Sequence, residues 1–180
     1  YYDYKDKQLL TKAVDPVFGP LPVLRNAPKS EAYGIELDAQ SSPIDGLFIA
    51  FAASYLQTKV IEFTGTDSEG NERDFSGRPF NFAPKYQINL IADYTWPILD
   101  SMDFGISADM TAVGKTNGTL DENPKFDMPA HQLYGARLHL NAADKQWEVA
   151  FFGRNLTNEL YSAGTFSVGD VVGRFAGYPR

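Results

Sequence analysis

PKYQINLIADYTW, residues 84–96, alternates with a period of two residues over its whole length. Pro84, Tyr86, Ile88, Leu90, Ala92, Tyr94 and Trp96 form one set. Lys85, Gln87, Asn89, Asp93 and Thr95 form the other, with Ile91 as its exception. Successive side chains of a β-strand point to opposite faces, so this stretch reads as a strand with one apolar and one polar face. Its thirteen residues exceed the usual strand of about 5 or 6 and suit a tilted strand crossing a membrane, which needs about 9 to 11.

The same pattern recurs along the 180 residues. In 102–112, Met102, Phe104, Ile106, Ala108, Met110 and Ala112 oppose Asp103, Gly105, Ser107, Asp109 and Thr111. In 33–40, Tyr33, Ile35, Leu37 and Ala39 oppose Gly34, Glu36, Asp38 and Gln40. In 132–140, Tyr134, Ala136, Leu138 and Leu140 oppose Arg137 and His139; in 147–154, Trp147, Val149 and Phe151 oppose Glu148 and Arg154. In 2–5, Tyr2 and Tyr4 oppose Asp3 and Lys5. Eleven charged residues fall in these windows, and all take the polar phase. Strands are expected at 1–8, 29–41, 47–60, 83–97, 102–114, 129–141 and 146–157, with no strand after 157. Helical periodicity is absent throughout.

The connections alternate in length. Short turns at 41–46, 97–101 and 141–145 are rich in Pro, Asp, Asn and Gly. Long loops are expected at 9–28, 61–82, 115–128 and 158–180. Every short turn then lies at one end of the sheet and every long loop at the other, the asymmetry of outer-membrane barrels. Tyr55, Tyr86, Tyr94, Trp96, Tyr134 and Trp147 fall near strand ends, where amphipathic rings suit a headgroup layer. The fold class expected is all-β: an antiparallel up-and-down meander of about seven long strands, part of a transmembrane β-barrel. Tyr86, Ile88, Leu90, Tyr94, Trp96, Phe104, Ile106, Tyr134, Leu138, Trp147, Val149 and Phe151 are the expected lipid-facing residues. A backbone in hydrocarbon must satisfy every N–H and C=O, which only helices and closed barrels do. The longest apolar run, LFIAFAA (47–53), has seven residues and is too short for a membrane-crossing helix.

Composition narrows the function. A net charge of −7 lacks the basic stripe that nucleic acid requires, so no nucleic-acid partner is expected. With no cysteine, thiolate metal sites and cysteine nucleophiles are excluded. GKT (114–116) lacks the earlier glycine of a phosphate loop, since Asp109 stands there. DSEGNERD (67–74) has Glu72 where a calcium loop needs glycine, and reads as a hairpin tip. His131 and His139 have no partner at ligand spacing. NGT (117–119) and NLT (155–157) fit glycosylation sequons, which a bacterial outer membrane leaves bare. No catalytic constellation emerges, so the chain reads as a non-enzyme without catalytic, metal or cofactor residues.

FFGRNLTNELY (151–161) resembles the penultimate-strand signature of TonB-dependent outer-membrane receptors, through Asn155, Leu156, Thr157 and Tyr161. NAPKSEAYGIELDA (26–39), with Gly34 and Glu36, is similar to another strand of that family. NFAPKYQINLIADYTWP (81–97) resembles its Asn-x-Pro strand entry, and the closing GRFAGYPR its approach to the last strand. The resemblance implies that residues 1–180 are a C-terminal portion of a 22-stranded barrel, lacking the plug and the final strand. It further implies a cell outer membrane of a Gram-negative bacterium, contact with outer-membrane lipid, and TonB as a partner acting through the missing N-terminal part. The implied activity is TonB-driven uptake of a scarce solute: an iron-siderophore, cobalamin or a glycan. Arg78, Phe80, Arg137, Arg154, Arg174 and Phe175 are the expected substrate-contact residues. Two other readings are a self-contained eight-stranded outer-membrane barrel, acting as anchor or adhesin, and a soluble β-sandwich that binds a ligand.

Overall fold

The computed structural model describes residues 1–168 and 171–178. Its strands are β1 (Tyr2–Asp15), β2 (Gly19–Ser41), β3 (Leu47–Glu62), β4 (Thr64–Thr66), β5 (Glu72–Asp74), β6 (Tyr86–Leu99) and β7 (Met102–Val113). After these come β8 (Thr116–Asn117), a 3-10 turn Pro124–Phe126, β9 (Asp127–Met128), β10 (His131–Ala142), β11 (Glu148–Gly153), β12 (Ser162–Val168) and β13 (Val171–Ala176). The main sheet runs β11-β10-β7-β6-β3-β2-β1-β4-β5, all antiparallel neighbours. Seven strands follow chain order, so the sheet is the expected meander; six have 12 to 23 residues, but the last, β11, spans only Glu148–Gly153 in place of the expected 146–157. The sheet does not close on itself among the described residues, which leaves no self-contained eight-stranded barrel there.

Register carries the alternation from strand to strand, because residues paired across antiparallel strands share a face. One row reads Ala39, Phe51, Leu90, Met110, Tyr134; the next but one reads Leu47, Tyr94, Ile106, Leu138, Phe151. Trp96, Phe104, Leu140 and Val149 form a third row. This apolar face is uncovered: Ile106 is 44% exposed, Trp147 45% and Phe151 76%. No second sheet packs on it among the described residues, so the sandwich reading fails. Tyr55 and Tyr86 pair at its upper end. At its lower end Tyr94 stacks on Trp96 with centroids 5.1 Å apart, and Trp96 meets Phe104 edge-on at 5.2 Å. Ten residues separate Tyr86 from Trp96. At about 3.3 Å per residue that is about 33 Å of strand. Tilted by about 45°, it covers about 23 Å, close to the apolar band of about 25 Å around an outer-membrane barrel.

The other face is polar and internally bonded. Arg137 pairs with Glu148. Ser107 Oγ donates to Asp93, Thr95 Oγ1 donates to Asp93 Oδ1 at 3.1 Å, and Thr111 Oγ1 donates to Asn89 Oδ1 at 3.0 Å.

Three further expectations need correction. Residues 9–28 are not a loop. β1 and β2 continue through them as a ladder from Tyr2↔Ala32 to Asp15↔Gly19, turning over only 16–18. Asp15 Oδ1 accepts from the N–H groups of Val17 and Phe18 at 2.8 and 2.9 Å and closes the turn. Pro20, Pro22 and Pro28 fit because β2 has a partner on only one side beyond Lys29, and a strand edge tolerates proline. Second, Tyr2 and Tyr4 pair with Ala32 and Ser30, so they share the face of Gly34 and Glu36, while Asp3 pairs with Glu31 on the face of Tyr33. This part of the hairpin lies beyond the Tyr55–Tyr86 pair, where both faces carry charge. Third, β12 and β13 form a hairpin of their own after residue 157, outside the main sheet. Of the closing GRFAGYPR, Pro179 and Arg180 lie outside the described residues.

The buried core is not between layers of sheet. Leu9, Ala27, Ala32, Val60, Phe63, Phe75, Phe80 and Leu120 form a cluster at the loop end, beneath the segment that follows β3.

Candidate functional site

The short turns 42–46, 100–101 and 143–147 gather at one rim, and the elaborate segments gather at the other. Those segments build a folded layer. After Glu62 the chain turns back so that Thr66 pairs with Lys12 of β1. Phe63 and Phe75 stack with centroids 5.8 Å apart, and the Phe75 N–H donates to Phe63 O at 2.9 Å. The tip between β4 and β5 is the expected hairpin. Asp67 Oδ1 accepts from the N–H groups of Glu69 and Asn71, each at 2.9 Å, and so caps the turn.

Polar side chains stitch these segments together. Ser68 Oγ donates to Asp121 Oδ2 at 2.6 Å, and Asn123 Nδ2 donates to Ser68 Oγ at 2.8 Å. Arg78 meets Glu122 at 2.7 Å and Lys115 meets Asp127 at 2.7 Å. The Lys115 ammonium, first among its neighbours, holds the Asp127 carboxyl below the usual carboxylate range, with Asn117 and Arg174 assisting. Lys12 Nζ donates to Ser167 Oγ. Burial lowers the Lys12 ammonium below the ordinary lysine value, and the Asp121 carboxylate opposes that shift.

The structure scatters the expected contact residues over this rim and the polar face. Arg78 is engaged with Glu122 at the loop surface. Phe80 is buried in the core cluster, with Lys7 Nζ 5.1 Å from its ring centroid. Arg174 Nη2 donates to Lys125 O at 3.1 Å, and its Nη1 donates to Asp127 O. Phe175 packs on Phe166 at 4.9 Å and is 58% exposed. Arg137 lies deeper, on the polar face beside Glu148. Arg154 is exposed just past β11. Arg78, Phe80, Arg174 and Phe175 therefore share the loop rim, whereas Arg137 stands apart from them.

Several hollows open in this layer among the described residues, and two of them flank the 115–127 segment. A groove of about 950 Å³ runs past Tyr55, Tyr86, Phe80, Lys59, Lys85 and Lys115. A tighter cavity of about 190 Å³ lies among β1, the segment after β3, the 118–126 segment and β12. Lys12, Asp121, Phe126 and Thr165 line it. Nothing in the sequence singles them out, because each comes from a different segment and only the loop layer brings them together.

A family model described as TonB dependent receptor-like, beta-barrel, matches residues 1–156. Among solved structures, the chain is similar to the ferric yersiniabactin uptake receptor FyuA from Yersinia pestis. The TM-score is 0.70 at 17% identity, over 86% of this chain and 23% of that one. It is also similar to BauA, the ferric preacinetobactin receptor from Acinetobacter baumannii: TM-score 0.66 at 21% identity, over 96% of this chain and 24% of that one. A third similar structure is the siderophore receptor PiuA from Acinetobacter baumannii: TM-score 0.68 at 17% identity, over 98% of this chain and 23% of that one. The chain thus spans about a quarter of the length of these receptors. No curated protein matches it by sequence.

Proposed function

The chain belongs to the TonB-dependent receptor-like β-barrel family, and from that premise we propose that it is part of the wall and outer vestibule of an outer-membrane active transporter. The observation that carries this reading is the uncovered apolar face bounded by aromatic pairs at both ends. In water such a face would be an aggregation surface; against acyl chains it is the required surface. Tyr86, Ile88, Leu90, Tyr94, Trp96, Phe104, Ile106, Tyr134, Leu138, Trp147, Val149 and Phe151 touch lipid in this reading. The polar face lines the lumen.

Residues 1–180 serve as a C-terminal portion of a larger barrel. Supporting this, the outer edge of β11 has no partner among the described residues, and β1 is met on its free side only by β4. An open edge in hydrocarbon would leave backbone groups unpaired, at several kcal/mol each. Further barrel strands would complete both edges.

The loop rim captures a scarce solute: an iron-siderophore, cobalamin or a glycan. Passage through the barrel is driven by TonB through a part of the protein outside this chain. Identities of 17% to 21% speak to the fold, so the three solute classes stand side by side. The role is one of binding and transport, without catalysis. The test is uptake in cells that carry or lack the full-length protein, with labelled ferric siderophores, cobalamin and oligosaccharides, before and after collapse of the proton-motive force. Energy-dependent uptake of one solute that disappears with the protein supports the reading. Uptake of all three that is indifferent to the protein overturns it.

A further inference from the structure

The phase of the apolar face does not end at the Tyr55–Tyr86 pair. Gln57 and Lys59 continue it along β3, and Tyr33 and Glu31 face them across the ladder. All four line the 950 Å³ groove, which therefore opens on the outer side of the sheet, just above the aromatic pair. Lys85 and Lys115 stand on its opposite wall. Gly114 gives the Tyr86 ring its place beside the groove, since a Cβ there would stand 3.0 Å from two ring carbons. The Gly114 N–H donates to Tyr86 O at 3.0 Å, so the register of β6 and β7 brings Lys115 to the level of Lys85.

Height places these lysines against the bilayer. Lys85 adjoins Tyr86, and Lys59 lies four residues past Tyr55. Four residues at about 3.3 Å each, tilted by about 45°, rise about 9 Å above the aromatic pair. The headgroup layer is about 5–8 Å deep on each side of the hydrocarbon, and the flexible lysine stem returns an ammonium into it.

The groove's carboxylates are already engaged. Glu31 Oε2 accepts from the Tyr1 O–H at 3.3 Å, Glu122 pairs with Arg78, and Asp127 pairs with Lys115. Lys59 and Lys85 have no ion-pair partner among the described residues. Gln57 accepts from the Tyr33 O–H at 2.7 Å and donates to Tyr55 Oη, which leaves the Tyr55 O–H, like that of Tyr86, without an acceptor among the described residues. The groove thus offers ammonium and phenol donors to an anion with several oxygens. Below it the same face runs on through Phe51, Ile88 and Leu90, so the ligand that fits both parts is an anion joined to an apolar body.

We infer that the groove seats the phosphate headgroup of an outer-leaflet lipid, its phosphate on Lys59, Lys85 and Lys115 and its acyl chains on Phe51, Ile88 and Leu90. The inference rests on the lipid-facing reading of this wall and adds headgroup selectivity to it.

The experiment is native mass spectrometry of the full-length receptor released from detergent micelles, after incubation with equimolar phosphatidic acid, phosphatidylglycerol and phosphatidylcholine of equal chain length. Retention of the two anionic lipids over phosphatidylcholine, whose own cation masks its phosphate, is expected. Lys59→Gln and Lys85→Gln should each reduce that preference by about fivefold, while Lys59→Arg keeps it. Lys145→Gln, in the turn between β10 and β11 at the opposite rim, leaves it unchanged. Heat-modifiable electrophoretic mobility shows that each variant is folded. Inorganic phosphate in excess should not displace the bound lipid; displacement would assign the groove to the free anion and overturn the inference. A preference untouched by the Lys59→Gln/Lys85→Gln double variant overturns it too. Equal retention of the three lipids overturns it but leaves the lipid-facing wall standing, whereas a receptor that retains none of them counts against both.

Discussion

The His139 imidazole lies across Gly105 of the neighbouring strand. A Cβ at position 105 would stand 1.6 Å from its Nε2. That nitrogen is also 3.1 Å from Thr95 Oγ1, so one side chain spans β10, β7 and β6 on the polar face. Gly105→Ala is therefore expected to displace the ring and destabilise the barrel by about 1–3 kcal/mol, the usual cost of overpacking. His139→Ala should remove most of that penalty. Urea unfolding of the full-length receptor, as single and double mutants, checks it. Additive effects of the two changes would contradict the contact.

The two faces of β6 make opposite predictions for charge. Leu90→Arg puts a guanidinium midway between the Tyr86 and Trp96 ends of the apolar face and is expected to cost about 2–4 kcal/mol. Asn89→Arg, one residue away on the polar face, removes the acceptor of Thr111 Oγ1 and should cost only about 0.5–1.5 kcal/mol, the net worth of that hydrogen bond. Refolding into bilayers compares them. Equal costs would argue against a lipid-facing side.

The Lys115–Asp127 pair gives a pH dependence with a definite sign. The folded-state carboxyl of Asp127 lies below its ordinary value because of Lys115 first. A depressed carboxylate contributes stability above its unfolded pKa and loses it as pH falls through the folded one. The ordering of the 115–128 segment should thus be level from neutral pH down to about 4 and loosen only below that. Hydrogen exchange of that segment against pH is the measurement. Loosening already near pH 6 would be the wrong answer.

Arg78 and Glu122 are both well exposed, at 38% and 45% of their side-chain surface. Such pairs contribute about 0–1 kcal/mol, so Arg78→Gln should barely change stability. Its effect, if the rim meets an anionic solute, belongs in solute affinity. A large stability loss in thermal unfolding would assign Arg78 a structural role instead.

Much of the fold was legible because two different surroundings imprint a period of two on each long strand. In 84–96 and 102–112 the apolar phases met in register across β6 and β7. The hairpin over 9–28 was not legible, since its prolines and the DPVFG turn break the alternation while the ladder continues. Tyr2 and Tyr4 misled because the apolar-phase rule lapses beyond the apolar band. The cavity around Lys12 and Asp121 was hidden for another reason. Its lining comes from residues as far apart as Leu10 and Ser167, and no local pattern encodes that meeting.

The central claim is that the apolar side of β6 faces acyl chains. Single spin labels at positions 87 to 95 of the full-length receptor in bilayers test it, by collision with oxygen and with a water-soluble nickel chelate. The account predicts high oxygen and low nickel access at Ile88, Leu90, Ala92 and Tyr94, with the reverse at Gln87, Asn89 and Asp93. Uniform nickel access along the strand, or shielding of Leu90 and Ala92 from both reagents, would contradict it.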